Sequence, residues 1–148
     1  MNIKLFCYGS NNSEQLSIRI GVPVMPLDPG YVQDYQRVFR GHSKNWGGGT
    51  ATIIKAPGKT VYGGIATIPE YGLDILDRFE GVAAGKYLRS KVTVMDDNDK
   101  PVECFVYLST SKEFGKPTKD YLQAVAKTVG SCWGEEDEEL TWKDFPVL

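Results

Sequence analysis

Apolar and polar residues alternate along much of the chain, and this two-residue period predicts β-strands. The predicted strands are residues 3–8, 37–41, 50–54, 60–68, 87–95 and 102–108. Turn-forming sequences separate several of them, including Ala56-Pro57-Gly58 and the run of Asp and Asn at 96–99. This spacing favours mainly antiparallel pairing.

Three segments have the period of a helix instead. A short helix is predicted after the turn Gly9-Ser10-Asn11, because Asn12 and Gln15 resemble a capping pair. The second is predicted over 72–80, and the third over 118–129, where Thr118 caps a stripe of apolar residues. Many short strands with few helices predict an α+β fold, a small mixed β-barrel or curved sheet with packed helices, rather than a doubly wound sheet.

Composition adds limits to this picture. The chain has 148 residues, 41% of them hydrophobic, and no internal repeat, so we expect one domain over residues 1–148. Its net charge of −2 does not indicate nucleic acid or an anionic membrane as a partner. No signal-like or membrane-spanning segment is present, and a cytoplasmic protein is expected. The acidic run at 134–139 is predicted to be a solvated surface segment.

Residues that often carry chemistry are scarce. His42 is the only histidine and is predicted to be a polar surface or strand-end residue. The cysteines Cys7, Cys104 and Cys132 are odd in number and lack metal-binding spacing, which argues against a disulfide framework and a zinc site. A reduced compartment is therefore expected.

One carboxylate lies on the unexpected side of its helix. In the segment 72–80, Glu80 follows Leu76 by four residues and Leu73 by seven, so it falls on the apolar arc, which Phe79 is also predicted to join. Burial there would raise the carboxyl pKa and suit it to general acid–base chemistry. The alternative is that Glu80, the last residue before Gly81, turns to solvent or binds a basic neighbour.

The loop Tyr8-Gly9-Ser10-Asn11 is the second unusual element. A strand-to-helix turn that contains glycine leaves backbone N–H groups without sheet partners. Such groups beside a helix start bind a carboxylate or a developing oxyanion. An ordinary turn is the alternative interpretation of this loop.

Three stretches together resemble the γ-glutamylcyclotransferase family. They are residues 6–11 (Phe-Cys-Tyr-Gly-Ser-Asn), 46–53 (Trp-Gly-Gly-Gly-Thr-Ala-Thr-Ile) and 76–81 (Leu-Asp-Arg-Phe-Glu-Gly), the last leading to Tyr87. The similarity extends over roughly residues 5–125. It implies a small mixed β-barrel with helices packed on it.

The resemblance also implies a chemistry. Members of the family close a γ-glutamyl amino acid on itself, which gives 5-oxoproline and a free amino acid. Glu80 matches the family's catalytic glutamate and would act as general acid and base. The N–H groups of the Tyr8–Asn11 loop would hold the glutamyl head and the oxyanion. The expected partner is a small γ-glutamyl substrate, and no metal or cofactor is expected.

The family's substrate contacts match further residues of this chain. The implied binding set is Leu5, Phe6, Cys7, Tyr8, Gly9, Ser10, Asn11, Tyr87 and Tyr121. Tyr121 lies four residues after Pro117, as in the family, although a core role on its helix is an equal alternative. Cys7 replaces the alanine that is common in the family, and Asn12 replaces a large apolar residue.

The sequence also leaves two alternative functions. Relatives that act on glutathione or on γ-glutamylamines usually carry leucine where this chain has Asn11, which favours γ-glutamyl amino acids. A non-catalytic ligand-binding module of the same fold is the alternative from another class. Homodimers are common in the family, but no residue here indicates an interface.

Overall fold

The computed structural model describes residues 1–134, so nearly all of the acidic run at 134–139 lies outside the described residues. The elements, in chain order, are β1 (Asn2–Cys7), α1 (Ser13–Ile20), β2 (Asp28–Ser43), β3 (Gly48–Pro69), α2 (Gly72–Glu80), β4 (Tyr87–Asp96), β5 (Pro101–Ser109) and α3 (Lys119–Trp133). No helix among these residues is long and apolar enough to span a membrane.

The five strands form a closed barrel in the order β1-β3-β2-β4-β5. Neighbouring strands pair antiparallel, except that β1 and β5 close the barrel as a parallel pair at Leu5 and Phe105. The predicted α+β fold, a small mixed barrel with packed helices, is confirmed.

The predicted division of residues 50–68 into two strands is wrong. β3 continues through Ala56-Pro57-Gly58, and the extra residues bulge out: Gln33 pairs with Thr60, whereas Tyr35 pairs with Lys55. Between them Asp34 has a φ of 65°, and its side chain accepts a hydrogen bond from the Gly58 N–H at 2.9 Å. β2 is also longer than predicted, and this long partner holds β3 together across the turn-like sequence.

Two core clusters divide the side chains of the barrel. One takes residues from all five strands together with Tyr121 and Val125 of α3. The other lies where β1, β3 and β5 meet α1 and α2. Successive residues of β1 alternate between them, since Leu5 and Cys7 belong to the second cluster and Phe6 to the first. β1 therefore contributes side chains to both core clusters.

The starts of α1 and α3 and both ends of α2 agree with the sequence signals. Asn12 accepts from the Gln15 N–H at 2.9 Å and Thr118 from the Tyr121 N–H at 3.3 Å, so both predicted caps are confirmed. α2 has the predicted bounds. α3 extends four residues further than predicted, because Trp133 packs edge-on against Tyr62 and donates to the Gly63 carbonyl at 3.0 Å.

The glycines at the start of β3 allow a close backbone approach. A Cβ on Gly49 would lie 2.1 Å from the carbonyl oxygen of Gly115, which is far inside van der Waals contact. The Gly49 N–H donates to the Lys116 carbonyl at 3.0 Å. This contact fixes the segment that leads into α3 against β3.

Replacing Gly49 by alanine is therefore expected to destabilise the protein by about 2 kcal/mol or more, because backbone must move to admit the methyl group. Gly72→Ala is the matched control, since its Cβ would meet only the flexible tip of Ile20, at 3.1 Å. Urea unfolding of the two variants measures the difference. Equal stability of both would contradict the contact.

Candidate functional site

A cavity of about 650 Å³ opens where the loop after β1 meets the end of α2 and the β2–β3 hairpin. Its walls are residues 8–11, 40–46, 50–51, 79–80, 85–87 and 109–111, together with Arg19, Tyr107 and Tyr121. Most of the residues predicted to form the site are in this set.

Glu80, at the C-terminal end of α2, contributes a carboxylate to the cavity wall. Its side chain is 15% exposed, and burial raises its pKa above the ordinary value. Two contacts to Oε1 favour the charged form and limit the rise, the Asn11 side-chain amide at 3.4 Å and the Arg19 guanidinium at 3.7 Å. The predicted inward orientation is confirmed, the direction of the pKa shift agrees with the expectation, and the basic neighbour of the alternative interpretation is present as well.

Phe79 does not join the apolar arc as predicted. Its ring is 55% exposed at the cavity wall, and the Arg19 guanidinium lies 4.9 Å from the ring centre. The side chain therefore packs against a cation from α1 instead of the core. Arg19 thus touches Phe79 on one side, and Asn11 and Glu80 on the other.

The loop 8–11 contributes hydrogen-bond donors. Among residues 1–134, the backbone N–H groups of Gly9, Ser10 and Asn11 donate to no other protein group. All three residues line the cavity. The predicted set of unpaired donors is confirmed, and it lies at the same cavity as Glu80.

The start of this loop is held by Arg37, a residue that is not among the predicted site residues. Arg37 is completely buried; its Nε donates to the Tyr8 carbonyl at 3.0 Å and its Nη2 to the Tyr62 carbonyl at 2.7 Å. The Tyr8 hydroxyl donates in turn to the Tyr107 carbonyl. The available signal was that Arg37 shares a strand face with Phe39, so it points inward.

Tyr121 and Tyr87 both reach the cavity. The Tyr121 oxygen accepts from the Ala51 N–H at 2.7 Å and lies 3.3 Å from where a Cβ of Gly9 would be. Burial raises the pKa of Tyr121. Tyr121 is only 3% exposed, so it is at once a core residue and part of the wall. Tyr87 shares a hydrogen bond of 2.7 Å with Thr50.

Leu5, Phe6 and Cys7 are not brought to the cavity. Each is at most 2% exposed, with its side chain in one of the two core clusters. The physical reason is that one face of β1 points into the core of the barrel and the other packs against α1 and α2, so its side chains are enclosed on both faces of the sheet. The structure therefore gives these three residues no part in the cavity wall, in contrast to the expectation.

Several wall residues were missed. Arg19, Trp46, Arg40 and Lys86 line the cavity, and the Trp46 ring packs edge-on against Tyr121 with centroids 5.1 Å apart. His42 is exposed at the same wall. In the described part of the chain, no group of three or more potential ligands is arranged to hold a metal ion.

These features define a class of protein: a small barrel with packed helices, in which a partly buried carboxylate shares a cavity with unpaired backbone donors. Residues 60–132 match the AIG2-like family. Over 140 residues the chain is 31% identical to the gamma-glutamylcyclotransferase of Bos taurus and 30% identical to that of Homo sapiens. Both alignments cover 91% of this chain and 71% of the relative.

A solved structure of a gamma-glutamyl cyclotransferase superposes on the chain with a TM-score of 0.87 and 27% identity. The superposition covers 99% of this chain and 90% of that one. The chain belongs to the γ-glutamylcyclotransferase family.

Tyr121→Phe is expected to destabilise the protein by about 1–3 kcal/mol, because the Ala51 N–H would lose its acceptor in a buried place. Tyr87→Phe is the matched control. Its hydroxyl bonds Thr50 at the edge of the cavity, where water replaces the lost partner, so a smaller loss is expected. Thermal unfolding compares the two, and an equal or larger loss for Tyr87→Phe would contradict this assignment.

Proposed function

We propose that this protein is an enzyme that converts γ-glutamyl amino acids to 5-oxoproline and a free amino acid. The observation that carries the proposal is the placement of Glu80, with its raised pKa, in one cavity with the unpaired N–H groups of Gly9, Ser10 and Asn11. A base and an oxyanion site are the two groups that an internal aminolysis requires. The family membership supports the same chemistry.

The reaction begins at the substrate's α-amine, which is largely protonated near neutral pH. The Glu80 carboxylate accepts one proton from the ammonium, and the neutral amine attacks the γ-carbonyl carbon of the same molecule. A C–N bond forms, and the carbonyl oxygen becomes an oxyanion that the loop N–H groups stabilise. Because both reacting groups belong to one substrate, the cavity's main task is to hold it folded.

The second half of the reaction releases the amino acid. Glu80 returns its proton to the departing nitrogen, the original amide C–N bond breaks, and the oxyanion collapses to the carbonyl of 5-oxoproline. The ring nitrogen, which became positively charged on attack, gives its second proton to the Glu80 carboxylate, which passes it to the released amine, so the amino acid leaves as an ammonium. One carboxyl group thus serves as base and then as acid, and no proton is gained or lost overall. The raised pKa suits both steps, since it brings the carboxyl group nearer to the pH at which it must exchange protons.

Asn11 and Arg19 adjust the pKa of the Glu80 carboxyl group and take no part in the proton transfers. Both contact Glu80 Oε1, so both stabilise the ionised form that accepts the first proton. Asn11 also belongs to the donor loop. A cytoplasmic setting is part of the proposal, and the free thiols of Cys7, Cys104 and Cys132 support it, because such thiols are typical of reducing compartments.

Glu80→Gln is expected to lower the rate of 5-oxoproline formation from γ-glutamyl-alanine by about 10²–10⁴-fold, because the amide neither accepts nor returns the proton. Asp74→Asn is the matched control: it removes a carboxylate from the exposed side of the same helix, outside the cavity, and should keep the wild-type rate. Binding of the substrate without product in the wild type would instead indicate a non-catalytic module. Equal rates for both variants would exclude Glu80 as the acid–base group.

The pH dependence of kcat/KM is a second test of the role of Glu80. Glu80 accepts the proton when ionised, so kcat/KM should fall as the pH drops through its raised pKa, above the ordinary value of 4.5. Asn11→Ala removes a donor that favours the ionised form. The acid limb of the profile should therefore move to higher pH.

Asn45→Ala is the control for this shift, because Asn45 lines the cavity without contacting Glu80. Its acid limb should coincide with that of the wild type. An acid limb that stays in place in Asn11→Ala, or moves to lower pH, would contradict the role of the Asn11 amide.

A further inference from the structure

The charge of the cavity wall is strongly uneven. Of the described residues that line it, Glu80 is the only one with a carboxylate, whereas Arg19, Arg40, Lys44 and Lys86 all carry positive charge. Arg19 is engaged with Glu80 and Asn11. Within residues 1–134, Arg40, Lys44 and Lys86 form no ion pair. A chain with a net charge of −2 thus presents, at one cavity, three cations that no carboxylate among residues 1–134 neutralises.

The position of Lys86 is fixed by several contacts. Its N–H donates to the Gly81 carbonyl at 3.0 Å, and its carbonyl accepts from the Thr110 N–H at 3.1 Å. Its side-chain stem lies across Gly81, where a Cβ would come 3.0 Å from the Lys86 Cδ. Since Gly81 directly follows Glu80, these contacts hold the stem of Lys86 against the C-terminal end of α2.

The geometry of the reaction places the substrate's far end near these cations. In the proposed function, the glutamyl amine faces Glu80 and the γ-carbonyl oxygen faces the N–H groups of loop 8–11. The departing amino acid is bonded to the other side of that carbonyl, so it extends away from the loop. Most of the remaining wall is formed by residues 40–46, 50–51, 85–87 and 109–111, and within these segments Arg40, Lys44 and Lys86 carry the positive charges.

We propose that Lys86, together with Arg40 and Lys44, binds the α-carboxylate of the departing amino acid. This inference rests on the proposed function and names a specificity determinant within it. The cations select γ-glutamyl amino acids, in which that carboxylate is free, over γ-glutamylamines and C-terminal amides, which lack it. Lys86 is the principal contact, because its backbone and stem are already held in place.

The experiment removes the departing carboxylate of the substrate and, separately, the positive charge of Lys86. The full chain is assayed for 5-oxoproline with γ-glutamyl-alanine and with γ-glutamyl-alaninamide, which differ only at the departing carboxylate. The wild type should prefer the acid in kcat/KM, and Lys86→Gln should reduce that preference about three- to tenfold, mainly through KM. Lys86→Arg should retain the preference.

Lys59→Gln is the matched control, because Lys59 is exposed on the β3 bulge, outside the cavity, and carries the same charge. It should leave both substrates unchanged. The preference for the acid should also shrink between about 0.01 M and about 1 M salt, over which the screening length falls from about 30 Å to about 3 Å.

The outcomes distinguish a failure of the proposed function from a failure of the carboxylate-binding role of Lys86. Product from neither substrate in the wild type would overturn the proposed function and this inference with it. Equal kcat/KM for acid and amide would overturn the inference alone. An equal loss on both substrates in Lys86→Gln would do the same, because it would place the cation at the glutamyl head instead of the departing carboxylate.

Discussion

The site depends on one buried cation. The N–H groups of Gly9, Ser10 and Asn11 donate to no group among residues 1–134, so the loop 8–11 must be held by other contacts. Arg37 supplies one at the loop's first residue, where its guanidinium binds the Tyr8 carbonyl and also the Tyr62 carbonyl of β3. Burying a cation costs several kcal/mol unless its N–H groups are bonded. The same bonds that offset this cost fix the point from which the donor loop starts.

A second constraint ties the donors to the carboxylate. Asn11 places its backbone N–H at the cavity and its side-chain amide on Glu80, so one residue links the unpaired backbone donors to the carboxylate. Arg19 adds α1 to the same set through Glu80, Asn11 and the Phe79 ring. The loop after β1, the last turn of α1 and the end of α2 are thus joined by side chains around one oxygen atom, Glu80 Oε1. A shift of any of these three elements would change the protonation of Glu80.

What the sequence predicted well is local. The bounds of α2, the two caps and the inward face of Glu80 follow from residues within two helical turns. The sequence predicts two strands in place of β3, because Pro57-Gly58 is a strong local turn signal. The continuity of β3 depends instead on its pairing with the whole of β2.

Residues whose roles depend on long-range contacts were missed. Arg37, Trp46 and Lys86 acquire theirs only when segments distant in sequence meet. The expectation for Leu5, Phe6 and Cys7 came from resemblance alone, which gave no information on how completely β1 is enclosed.

The parallel closure of β1 on β5 also concerns the order in which the protein folds. The β4–β5 hairpin joins residues close in sequence, and so does much of the β2–β3 pair, whereas Leu5 and Phe105 pair although they are 100 positions apart. Closing such a long loop costs entropy that local hairpins avoid, so the seam is expected to form late. The donor loop continues directly from β1 at this seam. A chain that has not closed its barrel therefore has no active cavity, and the appearance of activity during refolding would report the final step of folding.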